Sequence, residues 1–241
     1  MVKISKRMQA LADMVSEGTV LADVGTDHGY VPIYLLQTGK IKRAFAMDIK
    51  KGPLLKAREH VEAFGLGDYI TLRLSDGVSA LAKGEADSVL IAGMGGGVIL
   101  RILEEGEEII TSAKELILQP QSEICRVREY LYQKEYVIDR ETMVLEDGKY
   151  YSMMHIALDK VKRNHPVYTD LKWQAICRYG ERMLREKNEI LRQYLSCQIE
   201  QYEKTLEDLK QQQTDAAAER RIEIEEELRY AKWALKEYWE V

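Results

Sequence analysis

The segment Leu21-Ala22-Asp23-Val24-Gly25-Thr26-Asp27-His28-Gly29-Tyr30 follows an apolar run with a turn that gathers carboxylates, an imidazole and a phenol around two glycines. Gly25 lets backbone approach a ligand where a side chain would collide, and Gly29 lets a helix begin close to the strand. A tight strand–helix connection alone would use glycine in the same way. A turn that cradles a pyrophosphate reads GxGxxG. Here Asp27 takes the place of the middle glycine, and a carboxylate beside a pyrophosphate is repelled. The turn suits a cationic ligand without phosphate, one carrying for example a sulfonium and an ammonium group.

Two more carboxylates stand at comparable places. Asp48 closes the next apolar run about 20 residues further on, where an acid can accept both hydroxyls of a ribose. Asp76, in Ser75-Asp76-Gly77, follows the third run and is placed to meet a base. Each alone reads equally well as a helix N-cap. Three acids at the carboxyl ends of successive strands, where open sheets bind ligands, favour a site. The fourth run ends in Ile91-Ala92-Gly93-Met94-Gly95-Gly96-Gly97, whose glycines clear side chains from the mouth of a pocket. A phosphate nest is the other use of such a loop, but the Lys-Ser/Thr ending of a nucleotide-hydrolysing loop is missing. The fifth run ends in Gln119-Pro120-Gln121, two amides able to hydrogen-bond a base edge, or a plain strand exit.

These residues need a scaffold, and the pattern predicts one. Strands are expected at 20–24, 43–48, 70–74, 88–92, 115–119, 136–145 and 150–158, with helices at 31–38, 51–64 and 96–110 and a turn at 78–82. Strand and helix alternate at the spacing of a parallel, doubly wound sheet. The last two strands flank Asp147-Gly148, a hairpin signal, so the sheet should end antiparallel. Beyond Arg163-Asn164-His165-Pro166 the pattern changes. Ile224, Leu228, Ala231, Leu235 and Tyr238 alternate in steps of four and three, and Leu184, Leu191, Leu195, Tyr202 and Leu209 form a similar seam. The expected organisation is an α/β domain over 1–163 and a helical coiled-coil hairpin over 164–241, its helices parting at 211–217. One bent helix packed back on the sheet is the plainer reading of the tail. Arg178, Arg182, Arg185 and Arg192 recur at spacings of four, three and seven, so they share one helix face, with Glu189 on the same stripe as a salt-bridge partner; a solvated charged face is the commoner use of such a stripe.

With 241 residues and a net charge of -5, the chain has no overall basic character, so phosphate binding would need local patches such as Lys3, Lys6 and Arg7. Cys125, Cys177 and Cys197 are far apart and make no CxxC pair, which argues against zinc and disulfides. No leader-like or bilayer-spanning apolar run is present, so a cytoplasmic protein without membrane or metal partners is expected.

Together Ile4-Ser5-Lys6-Arg7, residues 23–30, Ile91-Ala92-Gly93-Met94-Gly95-Gly96 and Ile117-Leu118-Gln119-Pro120 resemble the TrmK family of bacterial tRNA (adenine-N1)-methyltransferases. The resemblance covers the α/β half, and the helical tail is similar in kind to the family's appendage. It implies a Rossmann-like class I methyltransferase domain that moves a methyl group from S-adenosylmethionine to N1 of adenine 22 in tRNA. On this reading Asp23, Gly25, Asp48, Asp76, Gly77, Ala92 and Gly93 hold the cofactor. Asp27 orients the adenine and receives or stabilises the departing proton, His28 hydrogen-bonds, and Tyr30 either stacks a flipped base or packs at a helix start. Lys6, Arg7, Met94, Gly95, Gln119, Pro120, Arg178, Arg182 and Arg185 meet the RNA, with the chain a monomer or weak homodimer. The alternative is a class I methyltransferase for a small molecule or protein, with the tail used for association.

Overall fold

Runs of Val, Ile, Leu and Ala without polar alternation need burial on both faces, and such runs form the centre of the sheet. In the computed structural model, which describes residues 1–158, 168–212 and 214–240, they become β1 (Thr19–Val24), β4 (Ser88–Met94) and β5 (Glu115–Pro120). The chain divides into two units, Met1–His165 and Pro166–Val241. The boundary read at 163/164 lies outside the described residues.

In the first unit β2 (Ile41–Asp48) and β3 (Ile70–Leu74) extend the sheet on one side. On the other, β7 (Lys149–Ala157) pairs antiparallel with β5 and with β6 (Val137–Glu146), giving the order β3-β2-β1-β4-β5-β7-β6. The β6–β7 turn has Asp147 at φ 49° and Gly148 at φ 73°, the left-handed pair that a two-residue hairpin requires. Strand order reverses between β1 and β4, so a crevice opens beyond their carboxyl ends.

Period two along the strands sorts the core into two faces. Ala22, Val89, Ile91, Leu116 and Leu118 pack with α4 (Gly96–Glu105) and α6 (Ile124–Gln133). Leu21, Leu90 and Ile117 pack with α1 (Lys6–Met14), α2 (Tyr30–Gln37) and α3 (Lys51–Ala63). Ser5 caps α1 by accepting the Met8 amide at 3.3 Å. Neither α1 nor α6 was among the expected helices. The helix expected over 96–110 is divided at Gly106 into α4 and α5 (Glu107–Ile110). A Cβ there would lie 2.3 Å from Val78 Cγ2 and 2.8 Å from the Ile102 carbonyl, so the break is also a close-packing point.

In the second unit the expected first tail helix is three: α7 (Asp170–Tyr179), α8 (Glu181–Arg185) and α9 (Glu189–Lys210). Left-handed Gly180 (φ 85°) and Lys187 (φ 53°) separate them, and Asn188 caps α9. α10 (Asp215–Trp239) lies along α9, joined by a Lys232–Glu203 ion pair at 2.6 Å. Ile224, Ala231, Leu191 and Leu195 are buried. Among the described residues no helix is long and apolar enough to cross a membrane.

Candidate functional site

At the crevice between β1 and β4 lies a cavity of about 320 Å³, within the size of small-ligand sites. Asp23, next to last in β1, is buried at its wall and accepts the Thr26 hydroxyl at 2.6 Å. Burial raises its carboxyl to about 6; the Thr26 hydrogen bond works against this and the nearby Asp48 charge adds to it. The turn that follows is pinned to β2, because the Gly25 and Thr26 amides donate to the Met47 carbonyl at 2.8 and 2.9 Å. Gly25 has φ 78°, and Asp27 adopts φ 46°, a conformation that costs most side chains free energy and that Asp tolerates better than most.

Asp27 stands into solvent with 68% of its side chain exposed, its carboxylate 3.4 Å from His28 Nε2. His28 Nδ1 is buried with no hydrogen-bond partner among the described residues. Tyr30 begins α2, and its ring lies nearly parallel to that of His28, centroids 5.4 Å apart. From the opposite wall Arg7 on α1 reaches in, its guanidinium donating to Gln119 Oε1 at 3.3 Å and lying 5.1 Å from the centre of the Tyr151 ring. Ala92, Gly93 and Gln121 complete that side. Gly93 sits at an irregularity of the β4–β5 pairing with φ 76°, a device that re-aims the neighbouring side chain. The Met94 methyl lies over Gly25, 2.3 Å from where a Cβ would stand.

The fold thus brings Arg7, Asp23, Gly25, Asp27, His28, Tyr30, Ala92 and Gly93 around one cavity. Other expected residues lie elsewhere. Asp48 ends β2 and accepts the Lys50 amide at 2.7 Å, outside the cavity lining. Asp76 makes a two-armed ion pair with Arg101 at 2.9 and 3.2 Å, which holds its carboxyl below the usual range. With Gly77 it borders a separate cavity of about 80 Å³. Gln119 is fully buried and steadies Arg7, Pro120 is buried, and Lys6 is exposed.

Gly95, Gly96 and Gly97 do not open the pocket as the loop suggested. They face Ser122 and Glu123: the Gly97 amide donates to Glu123 Oε2 at 2.8 Å, and a Cβ on Gly96 would meet the Ser122 carbonyl at 2.6 Å. Gly96→Ala is therefore expected to cost about 1–3 kcal/mol of stability, read as a lowered Tm. An unchanged Tm would show that the α4–α6 contact gives way easily.

The four arginines do not share a helix face. Arg178 lies on α7, Arg182 and Arg185 on α8 and Arg192 on α9, across the two breaks. Arg178 pairs with Glu227 at 2.6 Å and lies over the Tyr230 ring, while Arg185 pairs with Glu181 at 2.5 Å and Arg182 with Glu186 at 3.8 Å. Glu189 does meet Arg192, at 3.8 Å. The sequence reading missed Thr26, Met8 and Leu11 as cavity residues. Thr26 was within the turn motif, and Met8 and Leu11 share the amphipathic face of α1; His60, against Tyr30, left no local sign.

A family model described as a methyltransferase domain matches residues 4–154. Over 188 residues the chain is 38% identical to the tRNA (adenine(22)-N(1))-methyltransferase of Bacillus subtilis (strain 168), covering 78% of each protein. It is similar to the crystal structure of the B. subtilis m1A22 tRNA methyltransferase TrmK, with a TM-score of 0.84, 32% identity and coverage of 98% of this chain and 100% of that one. Against M. capricolum TrmK in complex with the natural cofactor product S-adenosyl-homocysteine, the TM-score is 0.80 at 28% identity, covering 96% and 97%.

Proposed function

The chain belongs to the methyltransferase-domain family that includes the tRNA (adenine(22)-N(1))-methyltransferases, and on that ground we propose that it methylates N1 of adenine 22 in tRNA with S-adenosyl-L-methionine. One observation of the site carries this reading best: a buried carboxylate, Asp23, beside a left-handed glycine at the point where strand order reverses. A buried acid without a cationic neighbour is costly, and an ammonium group beside it would offset that cost. A dinucleotide's phosphates would instead meet Asp23 and Asp27.

The bound cofactor supplies a methyl group on positively charged sulfur. The chain's part is to bind, to orient and to handle charge. Asp23 and the backbone at Gly25 would hold the cofactor's amino-acid end, with Ala92 and Gly93 lining the way to the acceptor. Adenine N1 already carries a lone pair, so no base is needed to create the nucleophile. Methylation leaves a positive charge on the base until a proton departs, and Asp27 is the carboxylate assigned to stabilise that charge and take the proton from N6. His28 and Tyr30 would fix the base plane beside it, and Arg7 would meet a phosphate. A tRNA substrate supports a cytoplasmic location.

Incubation of unmodified tRNA with methyl-labelled S-adenosylmethionine should give label in 1-methyladenosine at position 22. No label in tRNA, or label at another nucleotide, would sink the proposal. Cofactor affinity should also follow Asp23. Its carboxyl titrates at about 6, and an ammonium group prefers the ionised form. Affinity is therefore expected to be flat above pH 7 and to weaken about tenfold per pH step below 6, by calorimetry. Equal affinity at pH 5 and pH 7.5 would exclude Asp23 as the counter-charge.

A further inference from the structure

We propose that His60 is a positioning residue of the acceptor site: its ring and one hydrogen bond hold His28 and Tyr30 in the attitude in which they receive the adenine. This rests on the tRNA methylation reading above. His60 lies on α3, one turn after Ala57, and a Cβ on Gly29 would stand 3.4 Å from the Ala57 Cβ. The face of α3 that carries both residues is thus pressed against the turn from Asp27 to Tyr30. His60 Nδ1 is 2.9 Å from the His28 carbonyl oxygen, and since a carbonyl only accepts, Nδ1 bears the hydrogen. The His60 ring is 4.8 Å from that of Tyr30 at an interplanar angle of 21°, and 5.6 Å from that of His28 at 32°. With the 5.4 Å His28–Tyr30 contact, Tyr30 stacks on both imidazoles while the two imidazoles are tilted to each other; His28 and Tyr30 line the cavity and His60 does not.

Burial does not account for a histidine at this place. Ala57 and Val61 already bury the apolar face of α3, and His60 is only half-buried. Its donor goes to the backbone of the residue that faces the cavity, and its ring to the ring that begins α2. A purine stacks on a flat aromatic surface only while that surface keeps its orientation, so a support behind the rings acts on acceptor binding and alignment rather than on the cofactor.

Three variants divide the two properties. His60→Ala removes ring and donor, His60→Phe keeps the ring, and His60→Asn keeps an N–H donor near Nδ1. His60→Ala is expected to lower kcat/KM for tRNA about tenfold to thirtyfold, mostly through a raised KM, in line with loss of base stacking and orientation, with S-adenosylmethionine affinity within about twofold of wild type. His60→Phe and His60→Asn should each recover part of the loss. The role is overturned if His60→Ala leaves kcat/KM for tRNA within about twofold, or if cofactor affinity falls in step with activity in all three variants. Should His60→Ala fail to fold, the Phe and Asn variants decide on the same measurements. A wild-type chain that methylates no tRNA sinks the activity and this role with it; an active wild type with an indifferent His60→Ala sinks this role alone.

Discussion

Asp27→Asn is expected to lower kcat for tRNA methylation by about 10²–10³-fold while cofactor affinity stays within about twofold, which is the range for removing a group that handles a proton in the transition state. The substitution isolates charge from shape. Asp27 adopts φ 46°, a left-handed conformation that Asn tolerates as well as Asp, so the turn should survive. Its side chain is 68% exposed, and its charge partner among the described residues is His28 Nε2 at 3.4 Å. The amide can still accept from N6 of a bound adenine but cannot take the proton or offset the positive charge of the methylated base. Single-turnover rates at saturating tRNA, beside calorimetry with S-adenosylmethionine, make the distinction. An unchanged rate would remove Asp27 from the chemistry and leave His28 as the nearest polar candidate.

Asp23→Asn is expected to weaken S-adenosylmethionine binding about 100-fold and at the same time to stabilise the cofactor-free protein at neutral pH. The first effect is the loss of a charged partner for an ammonium group in a buried setting. The second follows from linkage. The folded carboxyl titrates at about 6 against an ordinary 3.8, so the native state binds the proton more tightly than the unfolded one. Stability is therefore lost as pH rises from about 4 to 6 and stays lower at pH 7, by on the order of 3 kcal/mol. A neutral amide does not carry that cost and can still accept the Thr26 hydroxyl. Thermal melts at pH 4 and pH 7 check this: the variant should match wild type at the lower pH and exceed it at the higher. A variant less stable at both would mark Asp23 as a fold residue.

Arg101 illustrates what a local reading misses. Asp76 sits where an acid can meet a base, yet Arg101, one strand and one turn away along the chain, pairs with it through both guanidinium arms. The Gly95-Gly96-Gly97 run has the composition of an open loop, and its backbone is packed on Ser122 and Glu123. Gly180 sits singly inside a helical pattern, where glycine is tolerated at modest cost, and only its φ of 85° shows that the helix stops there. With it the shared arginine face disappears.

The sequence by itself determined the sheet, its closing hairpin and the acidic turn, because these depend on short-range signals. Unbroken apolar runs demand burial on both faces, Asp147-Gly148 demands a tight reversal, and Asp23 through Tyr30 carries its chemistry within ten consecutive residues. Tertiary structure alone decided which of those groups share a cavity. Arg7 enters beside Gln119, His60 supports Tyr30, and Asp76 is drawn to Arg101 through contacts between residues 25 to 112 positions apart. Such pairings depend on where the sheet places each helix, and no period or spacing along the chain records them.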